Sequence, residues 1–92
     1  MEKQPSEVIP FVIDFSRLLT TNETITTLSV VAKLDTTVKT STIIESSEII
    51  DKTCRVVVKS GTDGEIYKIM VLITTSSSNI YEEDFKLKII DR

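Results

Sequence analysis

The sequence of 92 residues has no histidine, no tryptophan and a single cysteine, Cys54. One cysteine cannot form an intramolecular disulfide, and a zinc site built from cysteine and histidine ligands is excluded. Cys54 also lacks a histidine to act as its base, so we predict a small buried hydrophobic residue there rather than a nucleophile. The fold must therefore be held together by packing alone.

Excess positive charge and long apolar runs are missing too. The 11 basic and 14 acidic residues give a formal charge of −3, which argues against nucleic acid, because phosphate backbones attract clustered cations. The apolar run at 69–73 is far shorter than the roughly 20 residues that cross a bilayer. The opening MEKQPSE has no apolar segment of the kind found in secretory signals. We expect no nucleic-acid partner, no membrane and synthesis in the cytoplasm.

Burial depends on aliphatic side chains, because aromatic residues make up only 5% of the chain whereas hydrophobic residues make up 40%. The chain contains 13 isoleucines, 9 valines and 13 threonines, which together are 35 β-branched residues. These residue types lose rotamer freedom in helices and fit the pleated surface of a sheet. The composition alone therefore favours strands.

Apolar and polar residues alternate with a period of two along most of the chain, the pattern of half-buried strands. The segments with this pattern are 24–34, 36–45, 50–59, 66–73 and 85–89, and the apolar run at 8–15 is a further strand. Pro10 lacks a backbone N–H, so either its strand lies at a sheet edge or Pro10 lies among the first residues of the strand. ESSE at 45–48 and TSSSN at 75–79 supply turn signals.

Short strands separated by polar turns, with no segment of helical period, predict an all-β fold. An immunoglobulin-like or fibronectin type III-like β-sandwich of about seven antiparallel strands fits this pattern best. Residues 8–92 are expected to form its single domain, and the polar residues 1–7 a flexible N-terminal arm. Residues 16–19 are expected to make a single turn whose free amides bond to Asp14 or Ser16.

One strand near the C-terminal end has apolar residues on both faces. Its two alternating sets are Tyr67, Ile69, Val71 and Ile73 on one face and Ile66, Met70 and Leu72 on the other. Exposed aliphatic rows usually mark an interface, so Ile66, Met70 and Leu72 are the candidate interface residues. The alternative is that a further strand or the N-terminal arm covers this row, and the sequence leaves both interpretations open.

Glu82, Glu83 and Asp84 form an acidic run. Carboxylates in loops bind calcium, but the repeated aspartate pattern of a calcium loop is absent, and acidic residues at a strand start more often prevent edge pairing. Glycoside hydrolysis needs a cleft and two carboxylates in opposed environments, which a sandwich of this size rarely builds. We predict no metal site, no cofactor and no catalytic residue.

Two parts of the sequence together are similar to one family. PSEVIPFVIDFSRLL with ETITTLSV, and SGTDGEIYKIMVLITTSSSNIYEEDFKLKI, resemble small phage proteins described as fiber-tail adaptor, or neck and tail, β-sandwich proteins. The matching residues are Pro5, Glu7, Val8, Ile13, Asp14, Ser16, Leu19, Gly61, Thr62, Gly64, Tyr67, Ile69, Ile73, Thr74, Thr75, Ser76, Glu82, Phe85, Leu87 and Ile89. Tryptophans of the family are replaced here by Phe15 and Leu28, and a glycine pair is shortened to Gly61.

The GTDG turn and the tyrosine after it have a structural interpretation. Gly61 and Gly64 are the only glycines in the chain, and both suit turn positions with positive φ. The motif G-T-x-G-x-x-Y also resembles the strand E to F region of fibronectin type III domains, where the tyrosine makes a corner contact. That resemblance implies that the Tyr67 hydroxyl bonds to the backbone upstream.

The family resemblance implies a non-enzymatic structural subunit of a tailed-phage or prophage virion. Its role would be that of an adaptor joining neck, tail or tail-fiber proteins through protein–protein contacts, in several copies that form a homo-oligomer. Its location would be the virion, and the bacterial cytoplasm before assembly. The alternative is a fibronectin-type recognition module that binds carbohydrate or a protein through its loops, with Tyr67 and Tyr81 as the aromatic residues available to a sugar.

Overall fold

Residues 1–91 of the computed structural model form eight strands and one single-turn helix. The elements are β1 (Glu2–Lys3), β2 (Ile9–Asp14), β3 (Ile25–Leu34), β4 (Thr37–Val38), α1 (Thr40–Ile43), β5 (Ile44–Ile50), β6 (Thr53–Val58), β7 (Ile66–Thr75) and β8 (Ile80–Ile89). No helix in the described part of the chain has the length and apolar character needed to cross a membrane.

The strands form two sheets that pack face to face. The larger sheet has the order β1-β8-β7-β3-β4 and the smaller sheet the order β2-β6-β5. In immunoglobulin strand letters, β8-β7-β3 is G-F-C and β2-β6-β5 is B-E-D. All neighbouring strands are antiparallel except β1 and β8, which run parallel. The predicted all-β, immunoglobulin-like sandwich is therefore confirmed. It has eight strands rather than about seven, and two of the eight, β1 and β4, are only two residues long.

The core lies between the two sheets and consists of the residues that alternate inward. Tyr67, Ile69, Val71 and Ile73 of β7 are all buried, opposite Cys54, Val56 and Val58 of β6. Phe11 of β2 meets Phe85 of β8 edge to face, with ring centroids 5.5 Å apart. The predicted burial of Cys54 is confirmed, since its exposed fraction is 0%.

The proline-containing strand lies where its missing N–H predicts. β2 pairs with β6 on one side, with Pro10 opposite Val57, and forms one edge of the smaller sheet. Directly after it the chain makes the single turn expected at 16–19. Asp14 Oδ1 accepts a hydrogen bond from the Ser16 amide at 2.8 Å, and the Leu18 amide donates to the Phe15 carbonyl at 2.9 Å.

The prediction for residues 36–48 was wrong in two respects. A strand was expected at 36–45, but this segment contains the short β4 and α1 before β5 begins. ESSE at 45–48 was expected to be a turn, but it lies inside β5. There Glu45 forms an ion pair with Lys59 (3.0 Å), directly after β6, and Glu48 forms one with Arg55 (3.6 Å) of β6. Because β5 is an exposed edge strand, it accommodates polar residues that a buried strand would not.

The N-terminal segment, expected to be a flexible arm, contributes β1 to the larger sheet. Lys3 is buried, and its Nζ donates to the carbonyl oxygens of Gln4 (2.6 Å), Pro5 (3.2 Å) and Ser60 (2.6 Å). Burial lowers the pKa of Lys3, because the charged ammonium loses hydration. Three carbonyl acceptors nevertheless bind all three ammonium protons, so the N-terminal segment is fixed to the loop that precedes β7.

Candidate functional site

The outer face of the larger sheet carries the apolar row that the sequence left unassigned. Ile66 and Leu72 are 49% and 36% exposed and Met70 is half-buried, whereas the alternate set on β7 is buried in the core. The N-terminal segment does not cover this row, because β1 lies beside the end of β8 within the same sheet. In residues 1–91 no further strand lies over the face either.

Cross-strand register defines what surrounds this row. Met70 lies between Val31 of β3 and Asp84 of β8, and Leu72 lies between Ser29 and Glu82. Glu82 and Asp84 thus lie on β8, directly beside the apolar side chains of Leu72 and Met70. A hydrogen bond with Asp84, and then the repulsion between the two carboxylates, raises the pKa of Glu82.

A row of three lysines crosses the same face, two residues before Met70 along β7. Lys33, Lys68 and Lys86 are direct cross-strand neighbours on β3, β7 and β8, an arrangement that destabilises a sheet because like charges repel. Lys68 forms an ion pair with Asp84 at 3.6 Å. The lysines, with Asp35 and Ile66, line a shallow open depression of about 370 Å³, which we call the lysine depression.

The lysine depression could not be found from the sequence alone. Its three lysines are separated by 35 and 18 positions along the chain, and only the strand register brings them together. The sequence signal was limited to polar residues in alternating positions, which is also the pattern of an ordinary solvent-facing row. Of the three predicted interface residues, Ile66 is the one that lines the depression.

The GTDG turn and Tyr67 form a corner at the start of β7. Gly61 and Gly64 have φ values of 96° and 91°, a region that favours glycine. The buried Tyr67 hydroxyl donates to Glu65 Oε1 at 2.6 Å rather than to the backbone, which differs from the expected corner contact. Burial and the neighbouring Glu65 carboxylate raise the pKa of Tyr67 to about 12. The hydrogen bond from Tyr67 in turn lowers the pKa of Glu65.

Comparison with known protein families identifies a match that covers nearly the whole chain. Residues 3–88 match the family described as "Podophage GP4 fiber-tail adaptor protein gp77". The chain belongs to this family. The resemblance identified in the sequence is thereby confirmed, and the fiber-tail adaptor family supports a structural role in a phage tail. A search of curated proteins finds no significant match.

Three turns of the chain are closed by a glutamate in the same way, a feature that was not predicted from the sequence. In each, a glutamate carboxylate accepts from the backbone amide three residues earlier, and the glutamate amide donates to the carbonyl of that same residue. The three glutamate-closed turns are Gln4–Glu7, with bonds of 2.6 and 3.1 Å, Thr20–Glu23, with 3.1 and 3.1 Å, and Thr62–Glu65, with 2.8 and 3.0 Å. The T-x-x-E pattern of a capping box was the available signal at the last two.

Glu23 also joins two loops that are far apart in sequence. Its buried carboxylate accepts hydrogen bonds from the Thr75 hydroxyl and from Asn79 Nδ2, the latter at 3.0 Å. These bonds, the one from Thr75 first, lower the pKa of Glu23. Glu23 therefore ties the loop before β3 to the turn between β7 and β8.

Proposed function

We propose that this fiber-tail adaptor is a non-enzymatic structural subunit that joins neighbouring neck, tail or fiber proteins of a tailed-phage or prophage virion. The observation that carries the proposal is the uncovered apolar row of Ile66, Met70 and Leu72 on the outer face of the larger sheet. Aliphatic side chains that stay in water do not stabilise a monomer. Contact with a partner is favoured by about 25 cal/mol of free energy for each Å² of apolar surface removed from water.

Contact through this face is favoured over pairing at the sheet edges. Pro10 interrupts the donors of edge strand β2. β8, which β1 covers only at Lys88 and Ile89, carries Glu82 and Glu83 along its open part. Proline and charge on edge strands suppress the addition of another strand. The row of Ile66, Met70 and Leu72 itself contains neither proline nor charge.

The cysteine and carboxylate side chains of the described residues lack the arrangement that catalysis usually needs, which also favours a structural role. Burial raises the pKa of the Cys54 thiol, whereas a reactive cysteine needs a lowered pKa. In residues 1–91 no three carboxylate or cysteine side chains lie close enough together to hold a metal ion. The subunit would act in several copies, made in the bacterial cytoplasm and then incorporated into the virion.

The alternative, a carbohydrate-binding module, has less support. Sugars are commonly recognised by exposed aromatic rings, but Tyr67 is buried in the core and Tyr81 is half-buried. Specific binding of a glycan by the monomer, measured on a glycan array, would favour this alternative over the adaptor role.

Complementation tests the adaptor proposal. A phage or prophage that lacks its own copy of this gene is supplied with the wild-type chain or with Met70→Lys/Leu72→Lys. We expect the double variant to reduce infectious particles by at least about tenfold, because charge on the interface prevents burial. Val12→Lys, at a 64% exposed position of the smaller sheet, is the matched control and should complement fully. Full complementation by the double variant would contradict the proposal.

A further inference from the structure

The lysine depression is an unsatisfied site in the isolated chain. Among the described residues, Lys33 and Lys86 have no carboxylate within 4 Å, and Lys68 shares Asp84. Ile66, half exposed, lies beside them, and Asp35 is the one acidic residue in the lining. This combination fits a segment that carries both carboxylates and aliphatic side chains, since carboxylates would offset the lysine repulsion and aliphatic groups would cover Ile66.

The chain itself presents such a segment at the tip of the β5–β6 hairpin. Residues 48–51, which we call the acidic tip, have the sequence Glu-Ile-Ile-Asp. Ile49 and Ile50 are exposed, and Asp51 occupies the first position of a two-residue turn with φ of 56°. Glu48 shares its charge with Arg55 at 3.6 Å, whereas Asp51 has no ion pair within 4 Å in the described part of the chain.

Lys52, the residue that follows Asp51 in the turn, directs its positive charge away from the tip. Lys52 Nζ donates to the carbonyl oxygens of Thr20 and Thr21 at 3.0 and 3.1 Å, so its ammonium group lies against the neighbouring loop. The outermost groups of the tip are therefore acidic and aliphatic. They are complementary in charge to the lysine depression and similar to Ile66 in apolar character.

The two sites lie at opposite ends of the sandwich. The tip adjoins the loop at 20–23, which Glu23 joins to the turn at the end of β7. Lys68 lies seven residues earlier on β7, roughly 23 Å away along the strand, in a molecule 44 Å long. A contact between them must therefore involve two copies of the chain, arranged head to tail.

We propose that the lysine depression of one copy binds the acidic tip of a second copy. The inference deepens the adaptor role proposed above and rests on it. Because the two surfaces differ, the contact is heterologous, and its repetition produces a ring or an open stack rather than a closed pair. The row of Met70 and Leu72 remains available to another tail protein.

Face-to-face stacking of two copies fits the charges less well. Consider two copies stacked through this face, related by a two-fold axis that passes through Met70 and runs across the strands, so that the strands of the two copies are antiparallel. In this stack Lys86 lies over Glu82 of the second copy. The stack also places the two Asp84 carboxylates against each other and leaves Lys33 over a serine, as the cross-strand register requires. Only one lysine of the three gains an acidic partner in this stack, whereas the acidic tip brings two carboxylates to the depression.

Charge reversal tests the proposal with the full chain alone in solution. The depression variant is Lys33→Glu/Lys86→Glu and the tip variant is Glu48→Lys/Asp51→Lys. Sedimentation velocity at low salt, from micromolar to millimolar concentration, should show concentration-dependent association of the wild type. Each variant should associate at least roughly tenfold more weakly, because like charges then face each other. Arg17→Glu/Lys59→Glu changes net charge as the depression variant does and should associate like the wild type.

Mixing the two variants gives the decisive result. The acidic tip of the depression variant faces the intact depression of the tip variant, and the two reversed surfaces again carry opposite charges, so the mixture should associate more strongly than either variant alone, which also shows that both variants are folded. Wild type that stays monomeric throughout overturns the proposal, and so does a tip variant that associates like the wild type. The assay contains no other phage protein, so its failure is distinct from a failure of complementation by the Met70 and Leu72 variant.

Discussion

Gly61 is the residue at which the backbone of the 61–64 turn touches the core. Its φ of 96° lies in the left-handed region, and a Cβ placed there would lie 2.7 Å from Cγ1 and 2.8 Å from Cδ1 of Ile89. Ile89 is fully buried, so its side chain has no free space into which to move. Gly64, three residues later, has a similar φ of 91° but no atom within 4 Å of the corresponding position.

The two glycines therefore separate backbone strain from overpacking. Gly64→Ala is expected to lower the free energy of unfolding by about 1–2 kcal/mol, the cost of positive φ for a residue with Cβ. Gly61→Ala adds overpacking against Ile89 and should lower it by about 2–4 kcal/mol in total. Urea denaturation of the two variants measures the difference. Equal losses would show that Ile89 repacks without cost.

The glutamate-closed turns show how this fold uses carboxylates within its loops. Each turn leaves one backbone amide without a main-chain acceptor, and a glutamate three residues later provides the missing oxygen. At Glu23 and Glu65 the pKa is lowered below the ordinary value of 4.5, because hydrogen bonds favour the ionised form. Ionisation and folding are thus linked at these two turns.

This linkage predicts acid sensitivity. A carboxyl whose pKa is lower in the folded state stabilises the fold fully above pH 4.5, and this contribution is lost as the pH falls through the folded-state pKa. Glu23→Gln should lower stability at neutral pH and make the urea midpoint less dependent on pH below 4.5. An unchanged acid dependence in Glu23→Gln would contradict the assignment.

Strand prediction succeeded where one face of an element is buried. The inward set of β7, the edge position of β2 and the buried Cys54 follow from alternation and from the missing N–H of Pro10, which are properties of local sequence. It failed at 36–48, because β5 is exposed along nearly its whole length and so has no burial pattern to detect. Helix α1 is also supported from outside, since Thr40 Oγ1 accepts from the Ala32 amide at 3.1 Å.

The candidate surfaces were accessible from the sequence only in part. Ile66, Met70 and Leu72 were identified because alternation leaves one apolar set without a core to fill. The lysine depression depends on register across three strands, and the fixation of Lys3 depends on the carbonyl of Ser60, 57 residues away. Pairings of this kind arise only after the chain has folded, so no local pattern indicates them.

At the scale of the whole molecule, the N-terminal segment forms an edge of the larger sheet by pairing with the last residues of β8. The amides of Lys88 and Ile90 donate to the carbonyls of Met1 and Lys3, each at 2.9 Å. Removal of residues 1–7 deletes these acceptors and the buried Lys3. The loss should free the last residues of β8 from their neighbour and loosen the loop that contains Ser60.

Hydrogen exchange tests this role. In a chain that lacks residues 1–7, the amides of Lys88 and Ile90 should exchange at least about tenfold faster, and unfolding should require about 1–2 kcal/mol less. The amide of Ile69, in the centre of the same sheet, serves as the internal reference. If exchange at residues 88 and 90 matches that of the full chain, the segment is a flexible arm rather than a strand.

The parallel pairing of β1 with the end of β8 also places the two ends of the described chain side by side. Proteins with neighbouring ends tolerate circular permutation, in which the ends are joined and the chain is opened elsewhere. Opening the chain between Asp51 and Lys52 would leave every strand intact and would break only the two-residue turn that follows the acidic tip. Such a permuted protein would fold as both sheets do now but carry the acidic tip at a free chain end, which would separate the requirements of folding from those of assembly.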